Sequence, residues 1–199
     1  MKEPSNTPRD IARELARKYS TMTHDELDVL ESILVPMKFA KGEMILKEGE
    51  VCRSIYYLDK GMIRQFYYKN SKEVTEHLGE DHTIFMCIES LFKEEPTLLQ
   101  VEALETSMIY AIPKAALERE AMRNINIQMM YRKILEESLI ISQVHADLVR
   151  FETAQNRYKR MCKLAPQVIL RAPLIYIANY LQMTPETLSR VRTSTLLED

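Results

Sequence analysis

The chain is 199 residues long, with 46% apolar and 28% charged residues, which excludes fibrous, collagen-like and disordered classes and fits one ordinary domain or two small ones. Lys+Arg 27 against Asp+Glu 29 gives a net charge of −2, so bulk charge does not make it a nucleic-acid coat. The charge is uneven. Residues 151–199 carry seven bases and four acids, hence +3, which leaves 20 bases and 25 acids, hence −5, for residues 1–150. A basic C-terminal quarter on an acidic body suggests different partners for the two parts.

The opening MKEPSNTPRD has two prolines and no apolar core, so it is not a signal peptide. No apolar run approaches the ~18–20 residues that span a bilayer. Cys52, Cys87 and Cys162 are too far apart for a Cys-x-x-Cys metal or redox site, and a disulfide framework is not expected. These features predict a cytoplasmic protein with no membrane partner, no metal and no cofactor.

Residues 8–34 read as helical, with Ile11, Leu15, Leu27, Leu30 and Leu34 at helical intervals. Thr23 followed by Glu26 is a capping box that starts a second helix at His24, and Pro36 ends it. From Met37 to Pro113 the texture is that of eight short strands: 37–39, 43–46, 54–59, 62–68, 74–78, 83–86, 98–104 and 107–113. Gly42, Gly49, Gly61 and Gly79 fall between them and read as turns. Eight short strands in so few residues predict a barrel, sandwich or roll. His77 and His82, among Glu73, Glu76, Glu80 and Asp81, read as a solvated turn rather than a metal site.

Residues 114–151 lack Gly and Pro and predict a short helix, then a long one from about Asn124 to Phe151. Ile127, Ile134, Ile141 and Leu148 recur every seven residues, and Met130, Val144 and Phe151 stand three further on, with Glu137 as the one charged break. This is either a two-helix dimer seam or an amphipathic helix lying on its own domain; the sustained sevens favour the seam.

Residues 152–164 predict another helix. The stretch from Pro173 to about Ser194 then reads as a helix-turn-helix: Pro173 opens a helix with Leu174, Ile177, Ala178 and Leu181 on one face, and Thr184 caps a second helix that begins at Pro185. Leu188 and Val191 face inward. Thr187, Ser189, Arg190 and Arg192 face outward, where Arg190 can bond guanine O6 and N7 and Glu186 can accept from cytosine N4. Thr184, Thr187 and Ser189 suit phosphate or base contacts. Lys159, Arg160, Lys163 and Arg171 supply nonspecific attraction. A packing αα-hairpin is the plainer alternative.

The order of these parts resembles the Crp/Fnr family of bacterial transcription regulators over nearly the whole length. FAKGEMILKEGEVCRSIYYLDKGMIRQFYYK (39–69) is similar to the family's cyclic-nucleotide-binding β-roll, and LIYIANYLQMTPETLSRVR (174–192) is similar to its helix-turn-helix. The resemblance implies an α+β fold: N-terminal helices (1–34), a β-roll of double-stranded β-helix or jelly-roll type (35–118), a dimerisation helix (119–151) and a helix-turn-helix domain (152–199). It implies DNA reading by Pro185, Glu186 and Arg190. Pro185 replaces a polar or basic residue common there, and Gln182 stands where a turn glycine is usual. With TSTLLED following the second helix, the usual strand wing is missing or very short.

The effector site departs further from the family. The Gly-Glu and Arg-Ser/Thr pairs that hold a cyclic nucleotide fall on Cys87-Ile88 and near Thr97-Leu98, and no Arg or Lys lies between Lys93 and Lys114. The expected pocket is Met86, Cys87, Ile88, Glu89, Thr97 and Leu98, and without a cation for the phosphate it is not expected to bind cyclic AMP tightly. No cysteine precedes Cys52, so the iron–sulfur chemistry of the family's oxygen sensors is not supported. The expectation is a homodimeric, sequence-specific regulator of double-stranded DNA with an unidentified small-molecule effector. The dimer seam is Ile127, Met130, Ile134, Ile141, Val144 and Leu148. A ligand-binding or interaction module with a vestigial helix-turn-helix is the alternative. No Gly-rich phosphate loop or nucleophile elbow points to an enzyme.

Overall fold

The computed structural model describes residues 6–196. Helix α1 (Pro8–Tyr19) starts at a capping box between Thr7 and Asp10 and buries Ile11, Leu15 and Tyr19. Helix α2 (His24–Ile33) starts at the expected Thr23–Glu26 capping box and buries Leu30 and Ile33.

All eight predicted strands form, in order: β1 (Val35–Phe39), β2 (Met44–Leu46), β3 (Ser54–Lys60), β4 (Ile63–Lys69), β5 (Lys72–Gly79), β6 (Thr83–Phe85), β7 (Gln100–Ala103) and β8 (Ser107–Pro113). They pair antiparallel in two sheets of order β1-β8-β3-β6 and β2-β7-β4-β5. Ile55, Leu58, Ile63, Val101, Ile109 and Ile112 fill the core between them. Gly61 is required twice over. Its φ is +123°, and a Cβ there would lie 2.2 Å from Ser107 Oγ. Gly79 is not the turn residue the sequence suggests. It ends β5, where a Cβ would press on Ile63 and Thr83 at 3.1–3.2 Å. Two helices carry no signal the sequence reading recognised: α3 (Ile88–Lys93) after β6, and α7 (Pro166–Arg171).

Helix α4 (Lys114–Ala121) leads to the long helix α5 (Ile125–Phe151), with Asn124 at its N-cap position. The heptad stripe divides at its middle. Ile127, Met130 and Ile134 are at most 1% exposed and belong to the core that the roll shares with α1 and α2. These three expected seam residues are therefore spent inside the protomer, as the amphipathic reading of the helix has it. Glu137, the charged break, also serves this packing: Lys18 of α1 pairs with it at 3.0 Å and Tyr19 donates to it. Beyond Glu137 the helix leaves the core. Leu139, Ile140, Ile141 and Phe151 are exposed, and Val144 and Leu148 are half-buried.

After Phe151 the chain turns into α6 (Ala154–Leu164, capped by Thr153), α7, α8 (Leu174–Tyr180) and α9 (Pro185–Leu196). Their core of Tyr158, Met161, Val168, Ile177, Leu181 and Leu188 is continuous with Met62 and Leu78 of the roll. Among the described residues no helix is long and apolar enough to cross a membrane.

The divided stripe predicts unequal costs. Ile134→Ala should destabilise the protein by ~2–5 kcal/mol, as a core truncation does. Ile140→Ala should stay within ~0.5 kcal/mol in dilute protomer. Urea unfolding of both variants checks this, and equal losses would contradict the division.

Candidate DNA-binding face and effector cavity

Helix α8, the turn and α9 have helix-turn-helix connectivity. Pro173 sits at the N-cap position of α8, one place earlier than expected, and Leu174 is 47% exposed rather than inward. Ile177, Ala178 and Leu181 are buried as expected. Gln182 adopts φ +50°, the left-handed turn where glycine is usual. Thr184 caps α9, its Oγ1 accepting from Thr187 N–H at 3.2 Å.

The outer face of α9 presents Thr184, Pro185, Glu186, Ser189 and Arg190 to solvent. Thr187 and Arg192 depart from expectation. Both are half-buried, because α9 lies on α6 and turns positions 188, 191 and 192 toward it. The Arg192 charge lies near the Tyr158 hydroxyl. Glu186 is bonded to its own backbone N–H and to Thr184, which holds its carboxyl below the usual range.

This unit is docked on the roll. Asn179 of α8 acts as a partner for β5, an edge strand: its Oδ1 accepts from Thr75 N–H at 2.7 Å and its Nδ2 donates to the Glu73 carbonyl at 2.7 Å. Arg64 is 3% exposed, with Glu73 at 2.5 Å and Glu102 at 3.0 Å, and lies between the rings of Phe66 (3.9 Å) and Tyr176 of α8 (3.7 Å). Arg171 was expected to attract phosphate. Instead it binds Asp81 at 3.0 Å, the Gly61 carbonyl at 3.0 Å and Glu105. Val168 N–H donates to Glu80 at 2.9 Å. Part of the charge asymmetry therefore holds the basic quarter against its own acidic roll. No spacing in the sequence announces these hydrogen-bonded partners of the docking, which lie 66 to 110 residues apart.

A cavity of about 840 Å³ lies between the roll, α5 and α8. Met86, Cys87, Ile88, Glu89, Thr97 and Leu98, the six expected pocket residues, all line it. Ser138, Ile141, Ser142 and His145 of α5 form one wall, and Tyr180 of α8 another. The His145 and Tyr180 rings stack at 4.5 Å. Gln65 donates to the Met86 carbonyl at 3.1 Å and fixes the start of α3. The Cys52 thiol beside it and burial push the Cys87 thiol up, which favours its protonated form.

The lining carries no arginine. Its one lysine, Lys93, pairs with Glu89 at 2.7 Å, and Glu76 and Glu95 add further carboxylates. Burial, helped by nearby His145, lowers His77 to about 4, so its ring is neutral. An anionic phosphate finds no free cation on this lining. Glu76, His77, His145 and Tyr180 were not expected at a pocket. His77 was read with His82, but the two part: His77 faces the cavity, while His82 contacts Tyr57 at 2.8 Å and Glu14 at 3.0 Å. Among the described residues no cluster of metal-binding side chains forms.

Comparison with known proteins agrees with this architecture. The cyclic nucleotide-binding domain family matches residues 36–124. The anaerobic regulatory protein of Haemophilus influenzae is 29% identical over 186 residues, covering 86% of this chain and 71% of that protein. The fumarate and nitrate reduction regulatory protein of Shigella dysenteriae is 27% identical over 186 residues, covering 86% and 73%. The structure of FixK2 from Bradyrhizobium japonicum shares the fold with a TM-score of 0.72 at 18% identity, covering 83% of this chain and 86% of that one. The chain is thus similar over residues 36–124 to the cyclic nucleotide-binding domain family, and over most of its length to these two regulatory proteins.

The docking has a pH signature. Desolvation pushes the Asp81 carboxyl up, but bonds from Arg171 and from Gly61 N–H outweigh it and hold the group below its ordinary value. The bridge therefore contributes fully above the unfolded Asp range, about pH 4, and is lost as pH falls through the lower folded value. Arg171→Met should lower stability at neutral pH and flatten the stability curve below about pH 4. Acid unfolding of both proteins checks this, and superimposable curves would remove the bridge from the account.

Proposed function

We propose that the chain is a cytoplasmic, homodimeric, sequence-specific DNA-binding transcription regulator whose roll senses a small molecule other than cyclic AMP. The observation that carries the reading is the capped helix α9, with Glu186, Ser189 and Arg190 on its solvent face. Such a helix enters the major groove with its N-terminal half, and Arg190 is placed for bidentate contact with guanine. Thr184, Pro185 and Thr187 lie at the same end. Residues 35–118 form the sensor, 119–151 the connecting helix and 152–199 the DNA-binding unit.

The second copy fits against the outer half of α5. Ile141, Val144 and Leu148 remain accessible, and Ile140, one turn before Val144, widens the apolar stripe. Two-fold pairing there places the recognition helices at half-sites ~34–36 Å apart. The cavity touches the roll, α5 and α8 at once. A ligand that prefers one arrangement of these three parts biases the placement of α9.

The docked α8 and the strained Gln182 turn favour a second reading, an interaction module whose helix-turn-helix no longer reads DNA. Selection of duplex fragments by the purified protein separates the two. The regulator enriches a two-fold sequence, whereas a folded dimer that enriches nothing is the module. Arg190→Ala should weaken the selected site by ~1–3 kcal/mol and relax one base preference, whereas an equal loss on all sequences would reduce Arg190 to a phosphate contact. Ile140→Glu with Val144→Glu should give folded monomers in sedimentation, and an unchanged dimer would move the interface elsewhere.

A further inference from the structure

Strand β4 sends alternate side chains inward. Ile63 is buried in the roll core, and Gln65 and Tyr67, further along the same face, line the cavity. Gln65 lies opposite Val101 of β7 and His77 of β5, and the β-bulge that follows places its extra residue, Glu76, on β5. An amide thus stands where strand alternation on a buried face calls for an apolar side chain. Gln65 is only 6% exposed.

Its hydrogen bonds fix which way the amide points. Nε2 donates to the Met86 carbonyl at 3.1 Å and lies 3.7 Å from Cys87 Sγ. A flipped amide would set Oε1 against the Met86 carbonyl oxygen, so Oε1 points away from it. Among the described residues nothing donates to Oε1, and unlike His77 Nε2 it is not closed to solvent. The space it meets is the cavity that Gln65 lines. The buried hydroxyls of the same lining are engaged. Ser90 Oγ donates to the Glu95 carbonyl at 2.6 Å and accepts from Cys52 N–H at 2.9 Å, and Thr97 Oγ1 accepts from Leu99 N–H at 2.9 Å. Gln65 Oε1 is the acceptor left open in a buried wall. A molecule that covers it without supplying a donor incurs its desolvation.

Charge on the lining is arranged by depth. Glu76, Glu89, Lys93 and Glu95 are all exposed, whereas Gln65, Phe85, Met86 and Thr97 are buried and uncharged. A charge carried to the deep wall would go unpaired. The Phe85 and Tyr67 rings and the Met86 thioether suit an aromatic body.

We propose that the cavity binds an uncharged aromatic molecule through an N–H that donates to Gln65 Oε1, with its rings against Phe85 and Met86. The proposal rests on the cavity being the effector site argued above, and it names the chemistry that this site reads.

The compounds 2-phenylindole and 2-phenylbenzofuran are a matched pair of probes. They share one shape, but the N–H of the first is replaced in the second by an oxygen with no proton to donate. Both fluoresce, and the chain has no tryptophan to compete. The indole should bind saturably and about tenfold more tightly than the benzofuran, the effect expected when a buried acceptor loses its donor. Gln65→Met, close in volume and without the acceptor, should bring the two affinities together by weakening the indole. The comparison in the unaltered protein stands even where this variant fails to fold. Arg190→Ala, on the DNA face, should leave both affinities unchanged. Failure of the indole to bind, equal affinity for both probes in the unaltered protein, or a preference that survives Gln65→Met overturns the assignment and leaves DNA recognition standing. Donor-dependent binding by a protein that selects no DNA fragment overturns only the DNA reading.

Discussion

The burial of Ile127, Met130 and Ile134 governs the rest of the architecture. Three large side chains at most 1% exposed fix the first half of α5 to the roll and to α1 and α2. Extracting them costs several kcal/mol apiece, a large share of the stability of an ordinary domain. The helix therefore leaves the sensor in a set direction. Its second half, too far from the roll to share that core, becomes the cavity wall on one side and an unpartnered apolar stripe on the other. The first half serves stability, while the second half borders the cavity and leaves part of its apolar surface uncovered.

The docking of the C-terminal helices is of a different physical kind. It combines an apolar seam at Met62 and Leu78 with directional polar contacts, namely Asn179 on the β5 edge, Arg171 on Asp81 and Glu105, and Arg64 between two rings. Polar contacts of this sort cost less to separate than a buried aliphatic core, because water replaces each lost partner. The unit is thus oriented by its contacts with the roll and remains the more readily displaced of the two attachments. Its exposed α9 face is not used in the docking, so orientation and recognition involve different surfaces.

The strands, the turns at Gly42, Gly49 and Gly61, the helix caps at Thr23 and Thr184, and the extent of α5 were legible in the sequence because each is specified locally. Short β-branched and aromatic runs between turn residues, a Thr with an acid three places on or a Pro directly after it, and a run without Gly or Pro are signals a few residues long. The heptad stripe was legible as a pattern but not as a partner. A stripe states that one face is apolar, and the same spacing serves a second copy or the chain's own core. Arg171 illustrates a further gap. Its charge suggested phosphate, and only the folding of residues 61, 81 and 105 to one place shows that it is already engaged. The stretch 85–104 was matched to a family pattern, and the six residues named from it line the cavity. Glu76 and His77 stayed hidden because a strand pattern places them on opposite faces, and the bulge that unites them has no local signature.

The same bulge bears on how the cavity and the DNA-binding unit are connected. Thr75, whose N–H receives Asn179 of α8, is the residue immediately before Glu76. One face of this short segment therefore contacts the cavity and the next backbone group contacts the helix-turn-helix. The His145–Tyr180 stack makes a second bridge, from α5 to α8, across the same lining. The cavity lining and the docking contact on α8 are therefore joined by one short stretch of β5 rather than by a long chain of intermediates. Two arrangements of α8 against β5 would differ by a few polar contacts, an energy comparable to what one ligand can supply.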